Sequence, residues 1–157
     1  MAAFIHLSPD WIVIGVCVVV LSFDAFRSGV GRVVACALAF PITSVFLDDV
    51  SRAWFVETFV ARLSTPLLNA AEYGVVFAVV YVLVYRMSMC YFGESGHVLL
   101  ALLSGMAGTV IIVTFFVHTP ALAVLWNIGQ PIRALFAAHY EFWWLLGSYG
   151  ALAWARG

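Results

Sequence analysis

The sequence predicts an all-α fold, a polytopic membrane bundle of four or five transmembrane helices with one or two amphipathic helices at the membrane surface. Composition indicates this class, because 65% of the 157 residues are hydrophobic and only 10% are charged. Globular domains typically hold about 45–50% apolar and about 25% charged residues. A water-soluble fold of this chain would expose large apolar patches that favour aggregation, whereas a bilayer solvates them.

Long apolar runs supply the candidate spans, at residues 11–23, 33–47, 67–85, 98–117 and 142–154. A spanning helix needs about 20 apolar residues, with about 17 as the lower limit. The third and fourth runs reach this length. The other three reach it only with flanking polar residues, so we expect tilted spans, interfacial helices or, for the first two, a tight helical hairpin. The runs do not alternate apolar and polar residues, which excludes a transmembrane β-barrel.

The first run follows Asp10, and no basic segment precedes it. A cleaved secretory leader begins with a positively charged region. We therefore expect the first run to be a retained membrane helix.

Two connecting stretches, residues 50–63 and 122–140, are predicted as interfacial amphipathic helices. Helical spacing gathers apolar residues on one face of each, with Glu57 and Arg62 opposite in the first stretch and Asn127 and Arg133 opposite in the second. Such faces suit a helix at the membrane surface. Pro131 interrupts the second stretch. The alternative is a pair of connectors that pack on the bundle.

Arginine positions predict the orientation. The chain has seven arginines and no lysine, without the basic cluster that nucleic-acid binding requires. With five spans, one side of the membrane receives four arginines in short segments, namely Arg27, Arg32, Arg86 and Arg156. The other side receives three, namely Arg52, Arg62 and Arg133. The positive-inside rule therefore places the N-terminus outside and the C-terminus in the cytoplasm.

Small residues recur every fourth position in the two longest runs. They are Ala70, Gly74 and Ala78 in the third run, and Ala101, Gly105 and Thr109 in the fourth, where Gly108 lies alongside. This spacing lets helix backbones approach closely in a membrane. We expect the two runs to pack through these faces, with each other or with a second copy of the chain.

Two groups of polar residues are candidates for function. Asn69 and Glu72 share a helix face at the start of the third run, where a carboxylate is either a functional intramembrane group or an interfacial one favoured by the helix N-terminus. Asp24, Arg27 and Arg32 form a polar hinge between the first two runs. Asp24 and Arg27 are three residues apart and are expected to pair on one helix.

No motif predicts chemistry. The three cysteines are scattered, the four histidines never fall on one helical turn, and the common phosphate-binding patterns are absent from the sequence. We therefore expect no catalytic residue, no metal and no cofactor. The expected partners are the lipid bilayer and other membrane or envelope proteins, or further copies of the chain.

Residues 8–50 resemble the colicin V production protein (CvpA) family of small bacterial inner-membrane proteins. The segment Ser8-Pro9-Asp10-Trp11-Ile12-Val13-Ile14-Gly15 is similar to the family's Asp-aromatic-apolar start. Phe26-Arg27-Ser28-Gly29-Val30-Gly31-Arg32 resembles its R-G-apolar-x-R/E turn between two helices. Arg27, Gly29 and Arg32 are the matching positions. Ser28 separates Arg27 from Gly29, and Asp24 stands where the family usually has a small residue.

The resemblance implies a helical envelope protein of the bacterial cytoplasmic membrane without enzymatic activity of its own. We expect a scaffold or accessory subunit that anchors or recruits partner proteins. The alternative is a holin-like homo-oligomeric pore or transport component, for which one polar pair is a sparse lining. An intramembrane enzyme would need several polar groups converging at depth, and the sequence contains no such set.

Overall fold

The structure is a computed structural model that describes residues 9–51, 66–88 and 97–156. Within these ranges every regular element is helical. The elements are α1 (Pro9–Ser28), α2 (Gly31–Ser51), α3 (Pro66–Ser88), α4 (Val98–His118), a 3-10 turn (Pro120–Val124), α5 (Gln130–Leu135) and α6 (Ala138–Arg156).

The predicted all-α fold is confirmed for the described residues. Three of the described helices, α1, α3 and α4, are long and apolar enough to cross a membrane, while the apolar part of α2 is the shorter Gly31–Leu47. The helices extend beyond the apolar runs that predict them. For example, α1 has 20 residues because it continues through Asp24 and Arg27 to Ser28.

Helix α4 is the centre of the bundle. It packs against α1, α2 and α6, and α3 packs mainly on α2 and the 3-10 turn. Half of the apolar window of α4 is buried, against 6% of the window of α1. The core around α4 includes Ile111, Val113 and, from α2, Val33, each no more than 1% exposed. Helix α1 therefore presents most of its apolar surface outward, where a bilayer would solvate it.

Contacts between helix ends show that the five long helices alternate in direction. Arg32, at the start of α2, contacts Asp24 near the end of α1 and Tyr85 near the end of α3. His118, at the end of α4, contacts Glu141 at the start of α6. Gly105, in the first half of α4, lies against Ser22 in the second half of α1, so α4 runs opposite to α1. We call the end of the bundle with Asp24, Arg32 and Tyr85 the hinge end, and the end with His118 and Glu141 the far end.

The predicted amphipathic helix over 122–140 is wrong. This stretch holds the end of a 3-10 turn, the short helix α5 and the start of α6, and Gly129 is extended with φ −64° and ψ 156°. Pro131 lies in the first turn of α5 and explains why a new helix begins there, because it has no N–H to continue a helix from the preceding turn. Ile128, Ile132 and Phe136 are buried in one cluster with Val113 of α4, so the stretch is a connector packed on the bundle.

The other predicted interfacial helix, over 50–63, lies almost wholly outside the described residues. Val50 and Ser51 belong to the end of α2, and residues 52–65 are not described.

A proline inside α2 is matched by a hydrogen bond from α6. Pro41 has no N–H, so the carbonyl of Ala37, four residues earlier, loses its usual helical partner. The hydroxyl of Tyr149 on α6 donates to that carbonyl at 2.9 Å. This contact between α6 and α2 is therefore polar and specific, and it satisfies the carbonyl that Pro41 leaves without a helical donor.

Candidate functional site

The turn between α1 and α2 requires glycine. Gly29 has a φ of 86°, in the left-handed region that other residues rarely adopt, and its N–H donates to the carbonyl of Ala25 at 2.9 Å. This geometry ends α1 after Ser28 and returns the chain within two residues. The first two runs are therefore connected as a tight helical hairpin, which is one of the arrangements expected from the sequence.

The hinge residues form a cluster, but with a different pairing from the expected one. Arg32 Nη1 donates to Asp24 Oδ1 at 3.2 Å, and Ser28 Oγ donates to the same oxygen at 3.4 Å. Arg27 is exposed, and the ion pair of Asp24 in the described residues is with Arg32. The expected Asp24–Arg27 pair is wrong because the tight turn brings the first turn of α2 alongside the last turns of α1.

A cleft opens beside this cluster, with a volume of about 190 Å³. We call it the hinge cleft. It is lined by Leu21 and Asp24 of α1, Arg32, Val33 and Cys36 of α2, and Phe77 and Tyr81 of α3. Its interior is apolar, and its two charged residues lie at the hinge end.

An aromatic ladder runs along the side of α3 that packs on α2. Successive rings of Tyr73, Phe77, Tyr81 and Tyr85 lie 6.0–6.5 Å apart between centroids and are nearly parallel. The ladder ends at Arg32, whose guanidinium carbon is 5.8 Å from the centroid of Tyr85. Offset aromatic pairs and a cation over a ring are both attractive, so the ladder holds Arg32 in place.

Asp10 organises the far end. Its Oδ1 accepts a hydrogen bond from Trp126 Nε1 at 3.0 Å, and its Oδ2 accepts one from the backbone N–H of Gly129 at 2.9 Å. A Cβ on Gly129 would lie 2.6 Å from Asp10 Oδ2, so glycine makes this approach possible. Sequence reasoning missed this site because the partners are more than 110 residues apart; the only local signal was an acid in the first turn of α1.

A second polar contact lies at the far end. His118 Nδ1 is 2.8 Å from the carbonyl of Thr114, and Nε2 is 3.5 Å from Glu141 Oε2. A histidine in the last turn of α4 and an acid in the first turn of α6 both suit the helix dipoles. The contact joins two helices that run in opposite directions.

The small residues of α4 all lie on buried surface. Ala101, Gly105, Gly108 and Thr109 are buried. A Cβ on Gly105 would overlap the backbone and hydroxyl of Ser22 on α1, and one on Gly108 would be 2.6 Å from Val33 Cγ1 on α2. These residues therefore let α1 and α2 approach α4 closely.

The small residues of α3 are placed differently. Ala70 is buried, but Gly74 and Ala78 are exposed, and no atom of another described helix lies within 4 Å of a Cβ built on Gly74. The expectation that the third and fourth runs pack on each other through these faces is wrong, because α3 packs mainly on α2 through its aromatic side. The alternative, a face for another chain, stays a prediction.

The polar pair of α3 lies in its first two turns, at the far end. Asn69 is exposed and Glu72 is half-buried. The structure thus separates the three predicted groups, with the Asp24–Arg32 pair at the hinge end, Asn69 and Glu72 at the far end of α3, and Gly74 on its outer face.

Searches with the whole chain found no relative. No protein-family model, curated protein or solved structure matches it.

Proposed function

We propose that the chain is a CvpA-like scaffold or accessory subunit of the bacterial cytoplasmic membrane that holds partner proteins and performs no chemistry itself. Five helices would cross the membrane, because α2 and α6 alternate in direction with the three that are long and apolar enough to span. The hinge end would face the cytoplasm, since Arg27, Arg32 and Arg86 lie there on short connections. The N-terminus would then be outside and the C-terminus inside.

Glycines on the outer surface support partner binding. Gly74 on α3 and Gly147 and Gly150 on α6 are exposed, and among the described residues no atom of another helix lies within 4 Å of a Cβ built on any of them. Large apolar side chains contact lipid well, whereas a glycine leaves a notch into which another helix backbone fits. The chain already uses glycine this way internally at Gly105 and Gly108. This outward placement is the observation that carries the proposal.

Purification in a gentle detergent at native expression level, followed by mass spectrometry and measurement of particle mass, tests the proposal. We expect a stoichiometric foreign protein with the parent chain and a loss of that protein with Gly74→Leu or Gly150→Leu. Val75→Leu is the matched control, since Val75 is already a large exposed apolar residue of α3 (66% exposed). A particle containing only copies of this chain would contradict the scaffold proposal.

A homo-oligomeric pore is the second candidate, and the position of Asn69 favours it. An exposed amide and a half-buried carboxylate on consecutive turns of α3 could line a shared lumen if several copies assembled through this helix. Liposomes containing the purified chain should then conduct ions, and Glu72→Gln should change the cation selectivity. Liposomes that conduct no more than empty ones would reject the pore.

A further inference from the structure

The lining of the hinge cleft suits the upper part of a lipid chain. Its apolar and weakly polar lining consists of Leu21 of α1, Val33 and the small Cys36 of α2, and Phe77 and Tyr81 of α3. The cleft has about 190 Å³ of space and is open at the surface of the bundle. If the bundle spans a membrane, lipid and not water adjoins this apolar opening, so an acyl chain is the matching occupant.

The mouth of the cleft has two opposite charges whose bonding capacity is only partly used. One bond joins Arg32 Nη1 to Asp24 Oδ1, and Ser28 also donates to Oδ1. A guanidinium has five N–H donors, and a carboxylate accepts at both oxygens. Among the hydrogen bonds of the described residues, Asp24 Oδ2 accepts none, and both side chains are more than a third exposed.

Arg32 is also held from the side. The ring of Tyr85 lies against its guanidinium, and the other rings of the aromatic ladder back Tyr85. A cation fixed in this way is pre-organised for a ligand, because less side-chain freedom is lost on binding. The site therefore offers a fixed donor group beside a fixed acceptor group at the boundary of an apolar cleft.

We propose that the hinge cleft binds one phospholipid whose headgroup has a phosphate and a primary ammonium, the phosphatidylethanolamine class. The phosphate accepts hydrogen bonds from Arg32, the ammonium donates to Asp24, and one acyl chain lies between Leu21 and Phe77. A phosphatidylcholine headgroup has no N–H to donate, and a phosphatidylglycerol headgroup has no cation for Asp24. The inference depends on the membrane location of the hinge end and not on partner binding.

Native mass spectrometry of the full chain in detergent, titrated with the three lipids carrying identical acyl chains, tests this inference. We expect phosphatidylethanolamine to bind about tenfold more tightly than either other lipid, because only its headgroup supplies both a phosphate acceptor for Arg32 and an N–H donor for Asp24. Equal binding of the three lipids would overturn the proposal. Water-soluble glycerophosphoethanolamine, which lacks acyl chains, should bind far more weakly; equal affinity would reassign the cleft to a free headgroup compound.

Two substitutions test the contributions of Asp24 and Arg32 to lipid binding individually. Asp24→Asn should remove the preference for phosphatidylethanolamine over phosphatidylglycerol, and Arg32→Gln should weaken binding of both. Arg86→Gln is the matched control, because Arg86 is exposed on α3 but does not line the cleft. If Arg86→Gln weakened binding as much as Arg32→Gln, general charge attraction at the hinge end would replace the proposed site.

Steric filling of the cleft provides a test that leaves both charges in place. Cys36→Leu should lower phosphatidylethanolamine binding because the larger side chain fills part of the cleft. Cys17→Leu on α1, outside the cleft, should leave binding unchanged. Thermal unfolding in detergent identifies any variant that fails to fold. A folded Cys36→Leu chain with unchanged lipid binding would overturn the placement of the acyl chain.

Discussion

Asp10 shows how one side chain fixes a connector that has little regular structure. Its two oxygens accept hydrogen bonds from Trp126 and Gly129, on either side of the break before α5. Without them, an indole N–H and a backbone N–H would lose their partners at the edge of the bundle, and an unmatched buried donor is unfavourable. Asp10 therefore stabilises the connector through hydrogen bonds, in addition to its favourable interaction with the dipole of α1.

We predict that Asp10→Asn destabilises the bundle by about 1–3 kcal/mol, because the amide has one oxygen and a donor group where two acceptors are needed. Asp24→Asn is the control, since an exposed ion pair such as Asp24–Arg32 contributes little to stability. The measurement is the apparent free energy of unfolding in mixed detergent. Equal effects of the two substitutions would show that the contacts of Asp10 are not stabilising.

Gly29 provides a second prediction at this scale. Gly29→Ala should lower stability by about 1–2 kcal/mol, because an alanine is strained at a φ of 86°. Gly15→Ala lies inside α1 with open space at its Cβ and should be neutral or stabilising by about 0.5–1 kcal/mol. Unfolding of both variants in the same detergent series measures the difference. A Gly29→Ala chain as stable as the parent would show that the turn can adopt another conformation.

At the scale of helices, two sets of small residues with the same spacing have different surroundings. Those of α4 lie against α1 and α2, whereas Gly74 of α3 faces outward. Sequence spacing predicted both helices and both faces, because period and residue size are local properties. It did not predict which neighbour each face meets, since that depends on helix rotation in the bundle, and for α3 the aromatic side decides the rotation.

Because of this difference, we expect a glycine-to-leucine substitution to lower the stability of the bundle at one position and not at the other. Gly105→Leu should destabilise the bundle by about 3 kcal/mol or more, since its side chain would overlap the backbone of Ser22 and neither helix can give way cheaply. Gly74→Leu should leave the unfolding midpoint of the isolated chain unchanged. Thermal unfolding of the two variants, purified alone, is the measurement. A comparable loss with Gly74→Leu would indicate that α3 packs on another part of this chain.

At the scale of the whole molecule, the alternating helices give the bundle two chemically different ends. Among the described residues, the hinge end has Arg27, Arg32 and Arg86 with one acid, Asp24, and the far end has Asp10, Glu72 and Glu141 with one arginine, Arg133. Composition and hydropathy predicted the helical membrane class and the approximate position of each long helix. The Asp10 site, the Asp24–Arg32 pair and the broken 122–140 stretch needed the structure, because each depends on contacts between distant segments or on the exact point where a helix ends.

The proposed orientation predicts the behaviour of reporter fusions. A reporter that is active only in the periplasm should give no signal when fused after Gly157, and a reporter active only in the cytoplasm should give a strong one. Changing Arg27 and Arg86 to glutamine, which removes two of the hinge-end charges, should shift part of the population to the opposite topology. A strong periplasmic signal from the parent fusion would reverse the proposed orientation.

The hydrogen bond from Tyr149 to the Ala37 carbonyl also constrains how the protein is made. If α2 spans the membrane as proposed, it enters the bilayer during synthesis with an acceptor that Pro41 has left open, and the donor lies in α6, which is translated later. An unsatisfied carbonyl in hydrocarbon is unfavourable by several kcal/mol. We therefore expect α2 to stay near water or an insertion factor until α6 has been translated. Nascent chains stopped before Tyr149 would then hold α2 less firmly in the bilayer than the finished protein does.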